Sequence, residues 1–583
     1  MREPGKPHYP RLAVTGIALA TLAVLTAMRL VFLAASDQAR AMAAQASGRQ
    51  TIPAQRGSIW DRNGALLAAD TFVFDAGLNT AGLDAAALSA AAAKVGPRFG
   101  KDPAWIVAQA ESVLREHGVN WVNLAMGMSL EEHQAMRAAQ ETGDESLSHV
   151  EFNRQLSRVY PLGADGLQVL GMLLGNDDES PDAPLSVGSH GIEAQYRAVL
   201  DGMPGRAGGL AGGLANGFRP ARPGMDLRLT LDRDLQQAAA TALRETLARQ
   251  DALRGTVLVM ETRTGAILAS VSAPSFDPNR RTDLRSELLT DPACADHYEP
   301  GSVMKIMTVA AGLESGAISA DSHYEDNGVV EYAGMSIRNW DLLAHGWTSM
   351  SQMLQDSLNV GAVWVAVQTG EEPFYAELDD FGFGQPTGVD LAGELPGVLH
   401  HPGEEGWYDG FFASNSFGHS VDATPIQVLA AVNAVANEGV LMRPFVVAER
   451  IPAEGPSLPT MPEQRRQVIS PANALSLRRM MQSVVDNHAT AAAIPGYSVG
   501  GKTGTTELID RAAGRYDDHE TIASFCGFVP VENPVVTICA KVDRPDGKRG
   551  SEVAAPLFRE VAKAAIRAMR IPPDRSAASS ANE

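Results

Sequence analysis

A Pro-Gly pair at 300–301, followed by a helical apolar stripe, constrains the fold of this chain more than any other stretch. Pro300-Gly301 marks a turn, and Ser302 then opens a run in which Ile306, Val309, Ala310 and Leu313 recur at helical spacing. On that predicted helix Ser302 and Lys305 share one face, at the N-terminal end of the stripe. The stripe needs a core to bury against, which leaves its first turn at the mouth of a cleft. Unpaired N–H groups and partial positive charge at a helix start favour an oxyanion forming beside Ser302. A neutral lysine amine one turn away can take the hydroxyl proton. Alone, Ser-x-x-Lys is a weak signal whose plainer reading is a capping serine followed by a solvated lysine, and only further motifs displace it.

The rest of the chain bounds the choice. Its 583 residues suffice for several domains, and 45% hydrophobic with 20% charged residues is a globular balance. A net charge of −21 argues against nucleic acid as a partner. The cysteines Cys294, Cys526 and Cys539 lack metal-ligand spacing, and the histidines form no His-Glu-x-x-His cluster, so no metal and no cofactor is expected.

At the N-terminus, Arg2, Lys6 and Arg11 precede an apolar run from Leu12 to Met28, then Arg29 and further apolar residues to Ala35. The run is near the lower length for a membrane span, and Arg29 can snorkel to the far interface. The expectation is a cytoplasmic tail over 1–11 and a single transmembrane anchor over 12–35, with everything beyond it outside the cytoplasmic membrane. A cleaved signal peptide is the rival, with small residues at Ala34-Ala35 and Ala41-Met42-Ala43; the length of the apolar run favours the anchor.

Residues 36–220 form the next predicted domain: an Ala- and Gln-rich stalk, a hairpin around Asn63-Gly64, a mainly helical stretch over 80–146, and a Gly-rich loop from Gly205 to Gly217. A second domain spans 225–570. A strand near 226–232 leads into a helix over 233–249, and two strands, 257–262 and 266–273, surround Thr264-Gly265. Thr424-Pro425 and Ser470-Pro471 each open a helix. Strands 522–528 and 535–542 precede a final helix over 555–569, and 571–583 is expected to be a polar, disordered tail. Early strands, intervening helices and late strands fit one sheet with helices packed on it, a mixed α/β class.

Two further motifs lie downstream of Ser302 in this domain. Asp356-Ser357-Leu358-Asn359 supplies a Ser-x-Asn that alone means only a cap or polar turn. Gly500-Gly501-Lys502-Thr503-Gly504-Thr505-Thr506 reads as a Gly-bent edge strand whose glycines let a ligand backbone lie close. Thr503 and Thr505 can hydrogen-bond a carboxylate, and Lys502 adds positive charge. Between Lys101 and Lys541 the only lysines are Lys305 and Lys502, in a chain that otherwise uses arginine. Chance does not readily supply Ser-x-x-Lys, Ser-x-Asn and Lys-Thr-Gly in that order, and together they point to acyl transfer at Ser302.

With these motifs the chain resembles the class B penicillin-binding proteins over nearly its whole length. Arg56-Gly57-Ser58-Ile59-Trp60-Asp61-Arg62-Asn63-Gly64 looks like the family signature after the anchor. Arg158 to Gly163, Gly191-Ile192-Glu193 and Gly202 match its non-catalytic pedestal domain. Glu299-Pro300-Gly301-Ser302, Phe383-Gly384 with Thr387-Gly388, Ser416-Phe417-Gly418 with Thr424-Pro425, and Gly496-Tyr497 look most like its division-type branch. The resemblance implies a peptidoglycan D,D-transpeptidase that takes a D-Ala-D-Ala stem peptide, is acylated by β-lactams, and works beside a membrane glycan polymerase and other cell-wall proteins. It implies Ser302 as nucleophile, Lys305 as base, Ser357 as proton relay and Asn359 as a support for Lys305 or the substrate backbone. Lys502, Thr503, Gly504 and Thr505 would bind substrate, with the N–H groups of Ser302 and Thr505 as oxyanion hole.

Two departures stand out: His419 replaces the family's usual glutamine, and Ala489-Thr490-Ala491 replaces a Gly-containing turn. An elongation-type transpeptidase, a carboxypeptidase or β-lactamase-like hydrolase on the same fold, and a non-catalytic scaffold are the alternatives; three intact motifs count against the scaffold. Cys526 and Cys539 fall on the two late strands and read equally as a bridge or as two buried thiols.

Overall fold

The computed structural model describes residues 50–52, 54–175, 186–207, 220–280, 284–510, 515–546 and 549–575. The expected tail over 1–11 and anchor over 12–35 lie outside the described residues, as does 576–583. Among the described residues no helix is long and apolar enough to cross a membrane.

The chain divides into two compact units. In the smaller, strands Gln50–Ile52 and Gly205–Ala207 pair antiparallel, and Met203 bridges Arg222.

The larger unit begins with β1 (Ile59–Trp60) and β2 (Leu66–Asn79), antiparallel across the expected Asn63-Gly64 turn. Asp61 Oδ1 accepts from the Asn63 and Ala65 N–H groups at 2.8 and 2.6 Å, and Gly64 supplies the left-handed conformation with φ +86°. Helices α1 (Ala85–Val95), α2 (Pro103–His117) and α3 (Leu130–Glu141) follow. The stretch 80–146 is not helical throughout, because β3 (Trp121–Met128) lies between α2 and α3 and pairs with β2. Val122, Leu124 and Met128 of β3 are buried at even spacing. That two-residue period is masked in sequence by Ala, Asn, Gly and Met, which carry no β-branched signal. Strand β4 (Val150–Val159) pairs with the other edge of β2.

Three separated motifs meet in a buried ionic knot. Glu193 accepts from Arg56 Nε and from Arg158 Nε at 2.7 Å each, Tyr160 OH lies 3.4 Å from the same carboxylate, and Arg158 also reaches Asp70 at 3.3 Å. Two guanidiniums sharing buried carboxylates tie the start of the domain to its end.

Strand β5 (Asp226–Leu229) pairs parallel with β1. Helix α4 (Arg233–Arg249) is capped by Asp232, whose carboxylate accepts from the Asp234 and Leu235 N–H groups. Strands β6 (Arg254–Glu261) and β7 (Ile267–Ala273) surround the expected turn at Gly265. Next come α5 (Lys305–Glu314), α6 (Met350–Gln355), α7 (Asn359–Thr369) and α8 (Pro425–Ala436), all twelve of whose residues are buried. Strand β8 (Val447–Ile451) pairs with the free edge of β5, and α9 (Pro471–Asn487) follows. Strands β9 (Gly500–Asp510), β10 (Arg515–Val529) and β11 (Val536–Asp543) and helix α10 (Ala554–Met569) complete the chain.

The catalytic-side sheet is antiparallel, in the order β7-β6-β11-β10-β9. Its register sets Cys526 opposite Cys539, and their sulfurs are bonded. Strand β9 is the edge, and it lies against the turn that holds Ser302.

Candidate active site

Ser302 sits in a 3₁₀ turn, Gly301–Met304, that precedes α5; the expected α-helix begins only at Lys305. The tighter turn brings positions three apart nearly into eclipse, which aligns Ser302 and Lys305 more closely than an α-turn does. The turn is clamped on both sides. Gly301 N–H donates to Gly418 O at 3.1 Å, and a Cβ on Gly418 would overlap the Gly301 backbone. From β9, Thr506 Oγ1 donates to Glu299 O at 3.0 Å, and a Cβ on Gly504 would collide with Ser524 Oγ and Pro300 O.

Lys305 is fully buried beneath this turn. Its Nζ lies 2.6 Å from Ser357 O, 2.8 Å from Asn359 Oδ1, 3.0 Å from Ser302 Oγ and 3.3 Å from Ser357 Oγ. Asn359 Nδ2 donates to Arg338 O at 3.0 Å, which fixes the amide with Oδ1 toward the lysine. Ser357 O and Asn359 Oδ1 can only accept. A neutral amine has two hydrogens and one lone pair, so these two acceptors take both hydrogens and the lone pair is left for the Ser302 hydroxyl proton.

Ser357 is the joint between α6 and α7 and holds φ +57°, which turns both its carbonyl and its hydroxyl inward. Its Oγ lies 2.9 Å from Nζ of Lys502, which is fully buried on β9. Lys502 Nζ also contacts Thr503 O and Oγ1 at 3.2 and 3.3 Å. Thr505 Oγ1 accepts from Gly550 N–H at 3.1 Å. Ser302, Lys305, Ser357, Asn359, Lys502 and Thr503 thus form one hydrogen-bonded set, flanked by Gly504 and Thr505.

The electrostatics suit a base. Burial, and then the charge of Lys502, hold the Lys305 amine well below the ordinary lysine value. Burial brings Lys502 down to about 7, against the opposing pull of Asp356.

A family model for the penicillin binding protein transpeptidase domain matches residues 255–563, and one for the penicillin-binding protein dimerisation domain matches residues 51–208. The chain belongs to the penicillin-binding protein transpeptidase family. A probable peptidoglycan D,D-transpeptidase PbpC of Pseudomonas aeruginosa is 30% identical, over 97% of this chain and 95% of that one. Stage V sporulation protein D of Bacillus subtilis is 31% identical over 74% of this chain and 66% of its own length. Among solved structures, penicillin binding protein 3 of Mycobacterium tuberculosis complexed with aztreonam superposes with a TM-score of 0.68 at 25% identity, covering 90% of this chain and 98% of that one.

In this penicillin-binding protein, Glu299 and the two departures from the family pattern also border the site. Glu299 accepts from Ser420 N–H at 2.8 Å and stands 3.3 Å from His419 Nδ1. Burial, with the Lys305 charge beside it, pushes His419 down to about 4, so the departure from glutamine places a neutral imidazole next to the Ser302 turn. The second departure, Ala489-Thr490-Ala491, opens a short 3₁₀ turn after His488, whose Nδ1 lies 3.9 Å from Asp356. Asp356 was signalled only by its place before Ser357.

Proposed function

We propose that this chain is a serine D,D-transpeptidase of peptidoglycan. Ser302 attacks the D-Ala-D-Ala carbonyl of a stem peptide, Lys305 takes its proton, the terminal D-Ala leaves, and the acyl group passes to an amine of another stem. The observation that carries this reading is the hydrogen accounting at Lys305, which leaves one lone pair aimed at one hydroxyl. Ser357, between the two lysine amines, is the relay to the departing amine. Asn359 orients Lys305, and Lys502, Thr503, Gly504 and Thr505 receive the substrate carboxylate and backbone. The N–H groups of Ser302 and Thr505 would hold the oxyanion. β-Lactams enter the same path as acylating agents.

Transfer is favoured over hydrolysis because Glu299, the acid beside the Ser302 turn, is held by Ser420 N–H and stands against His419. We assign 36–220 as pedestal, 225–570 as transpeptidase domain and 12–35 as a single-pass anchor in the cytoplasmic membrane, with the catalytic domain outside it. A septal role beside a glycan polymerase is the preferred placement, resting on the division-type motifs. The test is D-Ala release from a stem-peptide substrate with and without an acceptor amine. Cross-linked product in proportion to D-Ala supports transfer, whereas free tetrapeptide irrespective of acceptor indicates a carboxypeptidase.

A further inference from the structure

Two residues outside the three motifs meet across the cleft. Trp340 follows the hairpin of Val329–Tyr332 and Met335–Arg338, and its Nε1–H donates to Asp356 O at 2.7 Å, which ties the ring to the Ser357 wall. Arg549 belongs to the loop between β11 and α10. Its neighbour Gly550 donates to Thr505 Oγ1, and a Cβ on Gly550 would strike Gly504 O, so this loop is pressed onto the Lys-Thr-Gly wall. From that wall the Arg549 guanidinium lies over the Trp340 ring, 4.4 Å from its centroid.

The guanidinium is exposed, and the ring keeps 47% of its surface in solvent. Among the described residues Arg549 meets this aromatic face and no carboxylate, in a chain whose net charge is −21. An exposed cation–aromatic contact is weak, so it orients the fork without satisfying it. The five N–H donors of arginine match a carboxylate in bidentate geometry.

We propose that Arg549, steadied by Trp340, is a specificity-determining residue that selects acyl donors carrying a carboxylate on the side chain. This rests on the acyl-transfer reading of Ser302. An acyl donor lying along β9 toward Ser302 passes between walls that Arg549 and Trp340 join, and an anionic substituent there exchanges the aromatic face for a charge-assisted pair. The two rim residues therefore set preference among donors while the chemistry stays with Ser302 and Lys305.

The test uses two penicillins that differ by one group: carbenicillin is benzylpenicillin with one additional carboxylate on its side chain. Second-order acylation rate constants for both are measured on the wild type and on Arg549→Ala, Arg549→Lys, Trp340→Phe and Trp340→Ala. The ratio of carbenicillin to benzylpenicillin is expected to fall about tenfold in Arg549→Ala, the scale of one charge-assisted hydrogen bond. It should fall less in Arg549→Lys, hold in Trp340→Phe and drop in Trp340→Ala. In the wild type the ratio should shrink at high salt, which a purely structural role does not produce. An unchanged ratio in Arg549→Ala, or equal losses for both penicillins, overturns the assignment. Failure of benzylpenicillin to acylate the wild type overturns the functional reading instead, and this inference with it.

Discussion

Lys502 Nζ stands 2.9 Å from Ser357 Oγ, and the same hydroxyl lies 3.3 Å from Lys305 Nζ, so one serine joins two buried amines. The two sites titrate as a pair, and Coulomb repulsion through so short a path lowers the first proton loss. Lys305 is depressed well below its ordinary value, while Lys502 falls to about 7. As pH rises, Lys305 loses its proton first and becomes a base; as pH passes about 7, Lys502 loses the charge that receives the substrate carboxylate. The acylation rate should therefore be bell-shaped, with its alkaline limb near 7. Lys502→Arg should lose that limb, because guanidinium stays charged. Lys305→Arg should lose about 10²–10⁴-fold at every pH, since no lone pair remains. Stopped-flow acylation with one β-lactam, run from about two pH units below to about two above the Lys502 value of about 7, checks all three.

Ser357 holds φ +57°, a conformation that costs a side-chain-bearing residue about 1 kcal/mol relative to glycine. Ser357→Gly and Ser357→Ala both remove the hydroxyl between the amines, and each should slow acylation by about 10²-fold. The glycine variant should be the more stable by about 1 kcal/mol in urea unfolding. Equal stability of the two would mean that the left-handed joint is unstrained.

His419 is held neutral, pushed from 6.5 to about 4 by burial and by Lys305. The unfolded chain binds this proton below 6.5 and the folded chain only below about 4, so the unfolded state holds more protons between those values. Stability contributed here is complete above pH 6.5 and is lost as pH falls toward 4. Replacing the imidazole by the glutamine usual in the family removes the titration. His419→Gln should show a shallower loss of melting temperature than wild type between pH 6.5 and 4, and the same pH dependence above 6.5.

Glu193 is the carboxylate that Arg56 and Arg158 share, and it is fully buried. Removing it takes a buried carboxylate from both guanidiniums and leaves Arg158 with Asp70, so Glu193→Ala should destabilise the protein by about 3–5 kcal/mol, well beyond a typical surface change. Because the knot's hydrogen bonds involve none of the residues of the Ser302 turn, acylation by the protein that remains folded should keep its rate. Chemical denaturation and a single-turnover assay on the same sample separate the two effects.

These particulars show where the sequence speaks and where it is silent. Ser302 and Lys305 were legible because one local turn sets their relation, and Lys502 because the chain keeps so few lysines. The caps at Thr424 and Ser470 announced their helices through side-chain chemistry within three residues. Strand β3 was not legible, since its small and polar residues blur a period of two amid helical neighbours. Nor was the 3₁₀ turn at Ser302, because clamping by Gly418 and β9 is tertiary. Trp340 with Arg549, and Glu299 with His419, join residues more than a hundred positions apart, and no local pattern encodes such pairs. Cys526 and Cys539 were open between bridge and thiols until the register of β10 and β11 set them opposite.

The most direct test of the central claim is peptide mapping after reaction with benzylpenicillin. One penicilloyl adduct should form per chain, on the peptide that contains Ser302, and Ser302→Ala should fold as the wild type yet carry none. An adduct on another residue, or undiminished labelling of Ser302→Ala, would contradict the account.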